Sequence, residues 1–166
     1  AACEAIERAA VAWRWRLRGR SHRLARAHGD FHPWNILFGE GTEFSLLDRS
    51  RGEWGEPADD VAALSVNYLF FGLRKSAPRN PVAVSEPFLA LFRAFLDVYL
   101  RESGDREILE VLPPFFAFRA LVIAHPRWYP ALADDTRAAL IRFARRMLEA
   151  APFDPETLPA MFWPLP

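Results

Sequence analysis

The chain has 166 residues, 51% of them hydrophobic and 14% aromatic, enough to bury a core and unlike the depleted composition of a disordered segment. Its 21 basic and 21 acidic residues cancel, so no whole-chain field draws it to nucleic acid or an anionic membrane. One cysteine, Cys3, allows no internal disulfide, and no stretch is apolar for long enough to span a bilayer, which together favour a reducing, cytoplasmic setting.

In chain order, Ala5, Ile6, Ala9, Ala10, Trp13 and Leu17 recur at three- and four-residue spacing, which predicts an amphipathic helix over residues 3–17 with Gly19 ending it. A basic run follows, Arg14 to Arg26, with Trp13 and Trp15 interleaved. It has the outline of a nucleic-acid patch, but no nucleic-acid motif accompanies it, and a solvated helix end partly neutralised by acids on an absent lobe is the expectation. Gly29 and Pro33 then interrupt any regular element. Ile36-Leu37-Phe38 and Phe44-Ser45-Leu46-Leu47, joined through Gly39-Glu40-Gly41, read as a hairpin with Asp48 at its exit.

Pro57 opens a helix with acids in its first turn, where the helix dipole favours them. Three further helices are expected over residues 86–101, 114–124 and 134–150, punctuated by Pro113, Pro114, Pro126 and Pro130. The tail from Pro152 to Pro166 should be irregular, yet packed down through Phe153, Met161, Phe162 and Trp163. The expected fold class is mainly α with a small β-hairpin, one domain over residues 1–166.

The stretch His28-Gly29-Asp30-Phe31-His32-Pro33-Trp34-Asn35, with Asp48 thirteen residues later, carries a chemistry. Phosphoryl transfer needs little covalent help from a protein. It needs positioning, metal ions on the phosphates and a carboxylate for the attacking hydroxyl. Asp30 suits the last task. Mg²⁺ takes oxygen ligands and keeps several waters, so an amide oxygen from Asn35 and a carboxylate from Asp48, completed by ATP phosphates, form a sensible set. The alternative of zinc on His28 and His32 is weakened by Gly29 and Pro33, which argue against a helix, and by the lack of a third His or a Cys nearby.

The spacing is that of the kinase catalytic loop, His-x-Asp-x-x-x-x-Asn. With Gly in second place and His-Pro after the Asp, and with Gly55-Glu56-Pro57-Ala58-Asp59-Asp60-Val61-Ala62 following, it resembles the aminoglycoside phosphotransferase and choline kinase-like families. The resemblance is strong over residues 28–62 and weaker beyond 75. It implies the C-terminal lobe of a protein-kinase-like fold, with a catalytic loop at 28–35 and a metal-binding segment at 46–62. It makes Asp30 the catalytic base, Asn35 and Asp48 the ligands of Mg²⁺ and so of ATP, Asp60 the brace of the loop, and His28 a structural residue that orients it. Two departures stand out: Glu56 where the family carries Asp, and Arg49-Ser50 where an acidic or aromatic residue commonly follows the metal Asp.

The implied activity is ATP- and Mg²⁺-dependent phosphorylation of a small-molecule hydroxyl, in a truncated form. The alternative is a binding or scaffold remnant that no longer holds ATP. Such folds place ATP between this lobe and an N-terminal sheet lobe, which the chain is expected to lack. The expected partners are therefore a nucleotide, a small-molecule acceptor, and either that lobe or a second copy of the chain, but neither nucleic acid nor a membrane. Arg119, alone inside the apolar run FFAFRALVIA, is expected either to line the acceptor site or to pair with a buried acid.

Overall fold

The computed structural model describes residues 2–49, 53–75, 81–150 and 152–162. Ser50, Trp163 and the end of the tail, on which some expectations fell, lie outside the described residues. In chain order the elements are α1 (Ala2–Leu17), β1 (Ala25–Arg26), β2 (Ile36–Phe38), β3 (Phe44–Leu46), β4 (Trp54–Gly55), α2 (Pro57–Lys75), α3 (Pro81–Ser103), α4 (Ile108–Ala124), α5 (Asp134–Glu149) and α6 (Leu158–Phe162). The architecture is mainly α with small antiparallel strand pairs.

The core lies between α2, α3, α4 and α5, where Val66, Phe70, Phe92, Leu96, Leu112, Phe116, Leu140 and Phe143 are buried. Edge-to-face contacts tie Phe116 to both Phe92 and Phe143, at 6.2 and 5.9 Å between ring centroids. Helix α1 joins through Trp13, whose indole N–H donates to the Leu148 carbonyl (2.9 Å) in the last turn of α5, one of the acceptors that a helix end leaves without an internal donor.

The hairpin forms as the two short runs joined through Gly39-Glu40-Gly41 predict, β2 antiparallel to β3 with Leu37 opposite Ser45. A second pair escaped sequence reading: β1 lies antiparallel to β4, Ala25 opposite Gly55. Two residues per strand carry no periodicity to read. Gly55 suits that close approach, because a Cβ there would sit 3.3 Å from the Ala27 Cβ, a tight contact that the neighbour would have to yield to.

Helix α4 begins at Ile108, not near residue 114, so Pro113 and Pro114 lie inside it and not before it. A helical proline withholds one N–H from the carbonyl four residues back. For Pro113 that carbonyl is Leu109, and it accepts from the Phe153 N–H of the tail (2.7 Å). Phe153 thus docks as expected, on a bond that Pro113 made available, whereas the tail beyond it forms a helix over Leu158–Phe162 where an irregular course was expected.

Two arginines of the basic run are paired with acids of this chain. The buried Arg23 guanidinium donates to both oxygens of Glu56 and both of Asp105, while Arg20 pairs with Glu107 and Glu110. Arg16 and Arg18 lie over the rings of Trp13 and Trp15. His22 is exposed and meets Glu107, and His125 is exposed and accepts from the Arg127 amide.

Candidate functional site

The loop between β1 and β2 is built on the first turn of α2. The Asp60 carboxylate accepts from the main-chain N–H of His28 (2.6 Å) and of Gly29 (2.9 Å), so one side chain at a helix start grips two consecutive amides. Gly29 has φ 82°, in the left-handed region that glycine enters at no steric cost. That turn delivers Asp30.

His28 is buried and holds the loop from inside. Its Nδ1 accepts from the Asp30 N–H (3.3 Å) and its Nε2 lies 2.8 Å from the Leu47 carbonyl. An acceptor role on one nitrogen assigns the proton to the other, so the neutral ring donates to Leu47. The imidazole therefore ties the loop carrying Asp30 to the segment entering Asp48.

Asn35 closes the loop. Its side-chain amide N–H donates to the Asp30 carbonyl (2.9 Å), which fixes the amide orientation and turns the side-chain oxygen to the opposite side. The Asn35 carbonyl in turn accepts from the Leu47 N–H (2.9 Å). This main-chain bond sets Asn35 beside the residue that precedes Asp48, although 13 residues separate the two metal-ligand candidates. Asp48 itself has φ 52°, the one non-glycine residue with positive φ among the described residues. Asp and Asn enter this region more readily than other side chains, but holding one there stores strain, and such strain collects at functional sites.

Arg119 settles into the second of its two expected roles. Its guanidinium, 8% exposed, donates from Nε and Nη2 to the two oxygens of Asp59 (both 2.8 Å), from Nη1 to Asp30 Oδ1 (3.0 Å), and from Nη2 to the Gly29 carbonyl (3.1 Å). Burial pushes the Asp59 carboxyl above its ordinary pKa, while the Arg119 hydrogen bonds pull the other way. Sequence reading quoted Asp59 without giving it a task. The available signal was a lone arginine in an apolar helix, which demands an acid, but several acids qualified.

His32 lies beside the acid, its Nε2 3.8 Å from Asp30 Oδ2 and 3.4 Å from the Asn35 amide nitrogen. Its Nδ1 is buried with no hydrogen-bond partner. From His32 an aromatic row runs outward through Trp34 (5.9 Å between centroids) to Phe71 (5.4 Å) and Phe88 (6.4 Å). The rest of the aromatic face of α3 is core, with Leu89, Phe92 and Leu96 buried.

Among the described residues no three His, Cys, Asp or Glu side chains cluster as a metal cage. An amide oxygen and one carboxylate fit Mg²⁺, which is usually bound through one or two protein carboxylates with waters and substrate phosphates filling the remaining positions. They do not fit zinc, so the His28 and His32 alternative fails also on geometry: His28 spends both nitrogens on the chain itself. No described helix is long and apolar enough to cross a membrane.

Glu56, the departure from the family pattern, has a visible use. It spans to Arg23 and caps the start of α2, where its side chain accepts from the Ala58 N–H (3.3 Å) and its carbonyl from the Asp59 N–H (3.0 Å). The strands above the site expose apolar side chains, among them Phe38 at 77% and Trp54 at 69%.

A search of curated proteins and a search of solved structures each find no match. The profile of the phosphotransferase enzyme family matches residues 1–111, which contain the whole loop, the hairpin and the start of α2. This agrees with the likeness to aminoglycoside phosphotransferases and choline kinases seen in the loop motif. With two thirds of its length matched, the chain belongs to the phosphotransferase enzyme family.

Proposed function

We propose that this chain carries the catalytic loop and metal-binding segment of an ATP- and Mg²⁺-dependent phosphotransferase that acts on a small-molecule hydroxyl. The observation that supports the reading is the main-chain bond from Leu47 to Asn35, which lays the segment entering Asp48 beside the loop that carries Asp30, with that loop clamped at its start by Asp60 and tied across by His28. Asp30 orients the acceptor hydroxyl and receives its proton as the oxygen bonds to the γ-phosphorus and the bond to the ADP oxygen breaks. Asn35, through its side-chain oxygen, and Asp48 hold the metal. When bound, Mg²⁺ on the ATP phosphates neutralises charge at the transferring group. Asp60 and His28 hold the loop and touch no substrate.

The exposed apolar side chains of the strand pairs, Leu37, Phe38, Phe44 and Trp54, fit a seat for a nucleotide-binding lobe. A second reading draws on the same face: a binding or scaffold protein of this family that meets partners there and holds no ATP. Calorimetry of Mg²⁺-ATP against the protein, beside Asp48→Ala, separates the two. Binding that disappears in the variant supports the phosphotransferase; no binding by the wild type, also when a nucleotide-binding lobe from a relative is supplied, favours the scaffold.

A further inference from the structure

Helix α4 is apolar along almost its whole length, and Arg119 is its single buried charge. Burying a guanidinium among apolar side chains is costly unless it is paired and its donors are used. Here it is paired twice. Asp59 receives two parallel N–H bonds in the fork-to-fork arrangement that fixes the plane of the guanidinium, and the remaining terminal nitrogen reaches Asp30 Oδ1 at 3.0 Å. The Gly29 carbonyl, one residue before Asp30, accepts from the same group.

Asp59 and Asp60 are neighbours on the first turn of α2, so their side chains leave the helix about 100° apart. They hold the loop in two different ways. Asp60 grips its backbone at His28 and Gly29. Asp59 reaches the side chain of Asp30 through Arg119. Asp60 fixes the loop backbone, whereas the Arg119 bond to Oδ1 acts on the Asp30 carboxylate itself.

We propose that Arg119, locked by Asp59, is a positioning residue that sets the orientation of the Asp30 carboxylate for the acceptor hydroxyl. The inference rests on Asp30 acting as the base, as argued above. Only a planar guanidinium meets both acids together, because the ammonium of lysine is a point charge that cannot present a two-pronged face to Asp59 and a third donor to Asp30. Arg119 bonds to Asp59, Asp30 and the Gly29 carbonyl, so its loss should slow the reaction and spare nucleotide binding.

The test measures ADP formation from Mg²⁺-ATP with water as acceptor, in the full-length protein, for wild type, Arg119→Lys, Asp59→Asn and Asp30→Asn, each checked for folding by thermal melting. A misplacement near 1 Å can cost on the order of 100-fold in rate. Arg119→Lys is expected to lower kcat by about that factor and Asp59→Asn by roughly 10-fold, with KM for Mg²⁺-ATP within about twofold of wild type. Wild-type kcat in both variants, with the rate lost in Asp30→Asn, overturns the positioning role and leaves the phosphotransferase reading standing. If both variants are unfolded at the assay temperature, Arg119 is a fold residue and the proposal is wrong. A wild type that forms no ADP, also when a nucleotide-binding lobe from a relative is supplied, or an undiminished rate in Asp30→Asn, counts against the phosphotransferase reading itself, and the role of Arg119 goes with it.

Discussion

The Phe153 main-chain N–H donates to the Leu109 carbonyl at 2.7 Å, and Leu109 is the residue whose helical donor Pro113 removes. Prolines inside α4 and a docked tail are thus one device. The Phe153 side chain follows its amide into the core, 2% exposed against Phe92 and Phe116. Truncating a buried Phe costs about 3–5 kcal/mol. Phe153→Ala should therefore lose about 3 kcal/mol in urea unfolding, and a loss under about 1 kcal/mol would mean that the tail is not part of the core.

Asp60 holds two amides that have no other acceptor among the bonds described above, so Asp60→Ala should free the loop at its start. The expected result is faster hydrogen exchange at His28 and Gly29 with exchange in α4 and α5 unchanged. Uniformly faster exchange would show instead that Asp60 supports the whole fold.

At Asp48 function and stability should part company. Its φ of 52° suits glycine better than aspartate, so Asp48→Gly relieves strain while removing a proposed metal ligand. Unfolding measurements should give a stability equal to wild type or higher by up to about 1 kcal/mol, since the added chain entropy of glycine offsets part of the gain. Mg²⁺-ATP binding should vanish in the same variant. Retained binding would exclude Asp48 as a ligand.

The acid limb of stability should belong in part to Asp105. Its hydrogen bonds from Arg23 hold the carboxyl below its ordinary pKa. A carboxyl lowered in the fold binds fewer protons there than in the unfolded chain, so its contribution is full above about pH 4 and is lost as pH falls through the depressed value. Asp59 has the opposite sign: raised by burial, it favours the fold at low pH and loses that contribution as pH rises through its elevated value. Asp105→Asn should therefore flatten the fall in melting temperature below about pH 4, and an unchanged acid limb would show that Arg23 does not depend on this partner.

Arg23 supplies a further test of how the basic run is used. Its side chain is 4% exposed, and replacing it by Met strands Glu56 and Asp105 beside each other. Removing one partner of a buried ion cluster costs about 3–5 kcal/mol. Arg23→Met should lose at least about 3 kcal/mol by urea unfolding, whereas Arg14→Met, on an exposed helix face, should change stability by less than about 0.5 kcal/mol.

The long elements were legible because each announces itself within a few residues. Three-four spacing marked α1 and α5, Pro57 with Asp59 and Asp60 marked the start of α2, and two short apolar runs about Gly39 and Gly41 marked the hairpin. The chemistry of phosphoryl transfer brought Asp30, Asn35 and Asp48 into view together, and the family resemblance added His28 and Asp60. What the sequence could not show depends on partners far along the chain. The β1 to β4 pair holds two residues per strand, too few for any period. The start of α4 was misplaced because local rules make Pro113 a stop, and only the Phe153 N–H, 40 residues on, relieves the carbonyl that the proline strands. For Arg119 the sequence required an acid without saying which. Tertiary packing chose Asp59 and Asp30, because a buried guanidinium must use its donors wherever the folded chain brings two carboxylates within reach of one plane.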